Sequence, residues 1–198
     1  MIQGVSISDM LNQSITVLTS PSVTTFEKFE KRGGMNEALT YVGLAAALVG
    51  LIGLVFGLAG GVGGAIGGLI IGFVGPVIGY LVFAFVLYYV GQQQGGTGTQ
   101  NEVFYTTALY TAPLLAITGV VGRIPVLNCL LLPVTLALAV YQAYLGYLAA
   151  RSSMNLEQGK AIISVVVAIV AQIVVGVIVG GILVAIFVGS AVVSGAVR

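Results

Sequence analysis

Between Glu37 and Glu102 the chain runs through 64 consecutive residues without an Asp, Glu, Lys or Arg. No soluble domain tolerates such a run, because a water-facing surface needs charge at short intervals. Across the whole sequence 58% of residues are hydrophobic and only 7% are charged, with a mean hydropathy of +1.12, against roughly a quarter charged in a soluble globule. The composition therefore predicts an integral membrane protein.

Crossing a hydrocarbon core of ~30 Å takes about 20 apolar residues at a rise of ~1.5 Å each. The apolar stretch 38–90 is too long for one such helix and predicts two, reversing in the glycines of "GLAGGVGGAIGG", since glycine adopts turn conformations without steric cost. The expected fold is all-α, a polytopic bundle of five transmembrane helices over residues 38–58, 65–90, 103–122, 126–150 and 161–188. Residues 1–37 form a cytoplasmic tail and residues 189–198 a short non-cytoplasmic end. Asn36 is expected to cap the first span. Pro76, Pro113 and Pro133 fall inside the second, third and fourth spans, where proline kinks a helix.

With five spans, Lys28, Lys31, Arg32, Arg151 and Lys160 share one side, and Arg123 and Arg198 the other. Five against two puts the N-terminus in the cytoplasm. All six acidic residues fall on that side as well. The tail itself reads as two short amphipathic helices joined at "TSPS". In the first, Ile7, Met10, Leu11, Ile15, Val17 and Leu18 form the apolar face. In the second, Thr24 and Glu27 have capping-box spacing, and Phe26 and Phe29 turn down to the membrane. Glu27, Lys28, Glu30, Lys31 and Arg32 surround the two rings, and this "FEKFEKR" cluster, with Arg151 and Lys160, is the candidate partner interface. The alternative is a helix resting at the headgroup boundary. Mixed charge favours protein recognition, because a segment built for anionic lipid would be predominantly basic.

Gly60, Gly64, Gly68 and Gly72 recur at every fourth position, and Gly176 and Gly180 repeat the spacing. Small residues so placed let membrane helices approach closely, within one chain or between two copies in a homo-oligomer. Gln142 and Gln172 are the main polar groups at depth, and they are expected to face the interior and hydrogen-bond each other. Chemistry has little to use. The chain has no His, its acids lie outside the spans, and no catalytic, cofactor or metal residues are expected. A net charge of +1 offers no basic footprint for nucleic acid. Cys129, the single cysteine of the sequence, is expected to form no disulfide, and the polar segment before the first span is not expected to be a signal peptide.

The stretches "VLTSPSVTTFEKF", "ALYTAPLL" with Pro113, and "YQAYLGYLAARSSMNLEQGKAII", together with the Gly-rich loop before Phe104, resemble the Yip family of Ypt/Rab-interacting membrane proteins in its prokaryotic form. The likeness spans nearly the whole chain. It implies a cytosolic N-terminus, five spans, and a role in membrane organisation or trafficking. The Asp-Leu-x-Gly-Pro motif of eukaryotic members is absent, which directs the expectation to a prokaryotic plasma membrane. The functional expectation is a non-enzymatic adaptor working through its tail and loops, in contact with lipid and a cytoplasmic protein. A small transporter is the alternative reading.

Overall fold

The computed structural model describes residues 4–122 and 130–195, with side chains through Phe187. Its described residues are helical and contain no strand. Two tail helices, α1 (Ile7–Thr19) and α2 (Val23–Glu27), precede five long ones: α3 (Met35–Gly57), α4 (Gly61–Gln93), α5 (Gln100–Val121), α6 (Leu132–Ser153) and α7 (Gln158–Gly195). Four stretches are long and apolar enough to cross a membrane: Met35–Gln93, Gln100–Val121, Leu132–Ser153 and Gln158–Phe187. The first of these contains both α3 and α4, joined by the single 3₁₀ turn Leu58–Gly60.

That turn folds α4 back along α3. The close approach is made by glycine on both helices: a Cβ on Gly57 would strike the Gly64 carbonyl, and one on Gly68 would strike the Gly53 carbonyl. One turn further on, a Cβ on Gly50 would lie 3.0 Å from the Leu69 carbonyl oxygen. Backbones this near exclude any side chain and gain dispersion contact where lipid supplies no hydrophobic drive. Gly64 and Gly68 of the expected stripe make the contact and Gly72 is buried. Gly60, Gly176 and Gly180 have nothing within 4 Å of an added Cβ, so no described residue of the same chain packs closely on them. The partner stripe on α3, Gly50, Gly53 and Gly57, is spaced three and four residues apart and so also shares one helix face.

α4 packs along both α3 and α7, while α5 lies between α3, α4 and α6. α5 is 56% buried over its apolar window and α7 only 17%. The outer helices turn rows of large apolar side chains outward, such as Leu44, Leu48, Leu51 and Val55 on α3, and Val166, Val170, Ile173 and Val177 on α7. An exposed apolar area on that scale is stable only against lipid. Pro76 and Pro113 sit within continuous helices. Pro133 lies in the first turn of α6 rather than within it, where its missing N–H is one that no helix would have used. Residues 126–129 of the expected fourth span lie outside the described residues.

Candidate functional site at the tail-capped end of the bundle

All eleven charged residues among the described ones lie on the α1–α2 tail or close to the helix ends that meet beneath it. The loops at this end are tied together. The Thr97 N–H donates to the Met154 carbonyl at 3.0 Å, and Asn155 Nδ2 donates to Thr97 Oγ1 at 3.1 Å. Asn155 adopts a left-handed φ of 53° to turn the chain into α7, a conformation asparagine tolerates better than most residues. Acids complete two helix starts. Glu37 Oε2 accepts from the Gly34 N–H at 2.9 Å, and Glu102 Oε2 accepts from the Thr99 N–H at 2.7 Å. Both satisfy donors that the first helical turn leaves open and place negative charge at the positive end of the dipole. Asn36 is exposed, and the cap of α3 is Gly34. The Met35 N–H finds its acceptor on another helix, Asn101 Oδ1 at 3.2 Å.

The tail docks through tyrosines. Tyr105 of α5 donates its hydroxyl to Gln13 Oε1 at 2.9 Å, Tyr41 of α3 shares a 3.1 Å hydrogen bond with Ser14, and Tyr141 of α6 donates to the Leu18 carbonyl at 2.6 Å. Each ring buries apolar area in the bundle while its hydroxyl reaches a tail acceptor or donor. The buried face of α1 is therefore Met10, Gln13, Ser14 and Val17. Of the expected apolar face only Met10 and Val17 are fully buried, whereas Ile7, Leu11 and Ile15 form a separate exposed stripe. A helix with one face on protein and an adjoining apolar stripe left open is suited to the headgroup boundary.

α2 is capped by Ser22, whose Oγ accepts from the Thr25 N–H, so Thr24 is not the cap. The helix ends at Glu27, and residues 28–32 continue as turns. Phe26 does not face the membrane. It is fully buried and meets Tyr110 of α5 edge to face, with centroids 6.3 Å apart. A buried ring contributes about 1.5–3 kcal/mol. Phe29 is half-buried, with the Arg32 guanidinium 5.9 Å above it. Glu30 also departs from the expectation of a partner-facing charge: it is buried and accepts from Ser152 Oγ at 3.1 Å, with Lys31 Nζ 3.8 Å from its other oxygen. Loss of water around its carboxyl raises its pKa above the ordinary glutamate range, and Glu102 and Glu27 push the same way against the Ser152 hydrogen bond and Lys31. Gly33 completes the seat, since any Cβ there would enter the Tyr105 ring.

Glu27, Lys28, Lys31, Arg32 and Lys160 remain exposed on this end. Arg151 is half-buried and tied to its own helix, with Nη1 3.4 Å from the Tyr147 hydroxyl and its guanidinium over that ring. No cluster of three metal-ligating side chains occurs among the described residues. Gln13, Ser14, Tyr41, Tyr105, Tyr110 and Tyr141 escape sequence reasoning. The signal available was nine tyrosines in a chain without tryptophan, since a buried tyrosine hydroxyl needs a partner.

Gln142 and Gln172 lie away from this end. They line one cavity of 380 Å³ between α4, α5, α6 and α7 but do not hydrogen-bond each other. A family model described as the Yip1 domain matches residues 15–180, a span that takes in the end of α1, all of α2 and most of α7. No curated protein matches the chain, and no solved structure matches it.

Proposed function

Since the chain belongs to the Yip1-domain family, we propose that it is a non-enzymatic membrane adaptor acting in membrane organisation or trafficking. It crosses the membrane five times, the α3–α4 hairpin counting as two crossings, with the tail-capped end in the cytoplasm. The source membrane is a prokaryotic plasma membrane. The observation that supports this reading is the docked tail. Buried hydrogen bonds and Phe26 hold it on the bundle, while Glu27, Lys28, Lys31 and Arg32 remain exposed beside Lys160. A rigidly held mixed-charge surface loses little entropy on recognition and selects partners by complementary charge. The occupant is a cytoplasmic protein, and a second copy of this chain is the other outcome of the same test.

The experiment is crosslinking in native membranes with the charges exchanged: Glu27→Lys, Lys28→Glu, Lys31→Glu and Arg32→Glu. Glu30 is left intact because it belongs to the docking seat. The exchanged protein is expected to insert and fold normally and to lose the proteins that wild type captures. Recovery of the same crosslinked proteins by both forms would sink the proposal.

A further inference from the structure

Two partly buried amides between the helices find no hydrogen-bond partner among the described residues. Gln142 on α6 and Gln172 on α7 line the 380 Å³ cavity together with Tyr80, Thr111 and Thr118. The Tyr80 hydroxyl is already spent on the Phe104 carbonyl at 2.6 Å, and Thr118 bonds back to the Leu114 carbonyl at 2.8 Å. Neither glutamine side chain makes a hydrogen bond to any described residue. Counted along their helices from the tail-capped end, Gln142 and Gln172 lie about 16 and 21 Å deep, inside the hydrocarbon region. An amide left unpaired at such depth has lost water without gaining a partner, so a site that keeps two of them is suited to a partner from outside the chain.

We propose that this cavity binds a neutral lipid whose small head carries carbonyl or hydroxyl oxygens, with its apolar tail leaving past Ile173. Charge is excluded first, because no Asp, Glu, Lys or Arg lines the space and an ionised head would be uncompensated there. Water alone fits poorly. The volume would hold roughly a dozen molecules, each needing about three hydrogen bonds, and Gly75, Pro76, Gly79, Leu115, Ile173 and Gly176 offer no side-chain partner. An oxygen-bearing head accepts from both amides and buries its carbon skeleton against those walls. Entry is from the bilayer, since Ile173 lines the cavity and is also 60% exposed on the outer face of α7. The glycines have a use here that helix packing does not explain: a Cβ on Gly176 would meet nothing within 4 Å, so its surroundings are open. This inference is independent of the adaptor reading, because the cavity lies below the docked tail.

Native mass spectrometry of the full-length protein in nanodiscs tests it with three headed probes, decylubiquinone, farnesol and dioctanoylglycerol, and squalane as a headless control. At least one headed probe is expected to bind saturably at one site and squalane is not. Binding by decylubiquinone alone would identify an acceptor-only head, and binding by farnesol or dioctanoylglycerol a hydroxyl-bearing one. Gln142→Leu with Gln172→Leu should weaken that probe by about tenfold or more, two hydrogen bonds being lost. Gly176→Phe, which fills the cavity from the other side, should abolish binding while the unliganded melting temperature holds. The proposal is overturned if no headed probe binds, if squalane binds equally, or if the glutamine pair changes affinity less than twofold. Should that pair fail to fold, unimpaired binding by Gly176→Phe overturns it alone.

Discussion

Glu30 occupies a position that its neighbours in the sequence do not predict. Five charges within six residues suggest one solvated cluster, yet the turn after α2 rotates this carboxyl onto Ser152 and leaves Glu27, Lys28, Lys31 and Arg32 outside. The consequence is a pH dependence. Burial raises the pKa of Glu30 above its ordinary value of 4.5, so the docked state binds the proton more tightly than the undocked one. Its stabilising contribution is complete below the ordinary value and is lost as pH rises through the raised one. Melting of the wild-type protein should therefore shift upward as pH falls from neutral toward the ordinary value, and Glu30→Gln, which keeps an oxygen for Ser152, should melt higher at neutral pH and show a flatter profile. Identical profiles for the two proteins would show that the carboxyl is not titrating in its docked seat.

At the scale of elements, the α3–α4 hairpin and the tail rest on different physics. The hairpin depends on the absence of side chains. Gly68→Leu places a branched chain where the Gly53 carbonyl lies and should cost at least about 1–3 kcal/mol. Gly60→Ala and Gly176→Ala, which meet nothing within 4 Å, should stay within about 0.5 kcal/mol of wild type. Thermal unfolding in detergent separates the two groups, and equal losses at all three positions would contradict the packing described. The every-fourth-residue spacing was legible in the sequence. Which glycines of a stripe meet another backbone was not, because spacing defines a helix face and only the neighbouring helix decides whether that face is covered. The tail illustrates the same limit. Its two helices and their junction follow from local capping and pattern, whereas the choice of Met10, Gln13, Ser14 and Val17 over Ile7, Leu11 and Ile15 as the buried face depends on three tyrosine hydroxyls distant in sequence.

For the whole molecule, the gathering of charge at one end predicts an orientation. Cysteines placed at Ser6 and Ser194 on a Cys129→Ala background should differ in reach: in intact cells a membrane-impermeant thiol reagent is expected to label position 194 and spare position 6. Labelling of position 6 from outside would reverse the assignment, and with it the compartment that the proposed adaptor surface faces. What the sequence by itself determined is the membrane class, the apolar helices, the reversal between α3 and α4 and the segregation of charge, because all four follow from composition and spacing along a single chain. A charge-free run must be lipid-exposed or buried, and a helix of known rise has only so much length to give. The tertiary structure alone decided that Phe26 and Glu30 belong to the fold and not to its surface, and that Gln142 and Gln172 share a cavity instead of a hydrogen bond. Those outcomes turn on distances of a few ångströms between helices remote in sequence, set by which side chains are absent at the contact, and no periodicity within one helix encodes them.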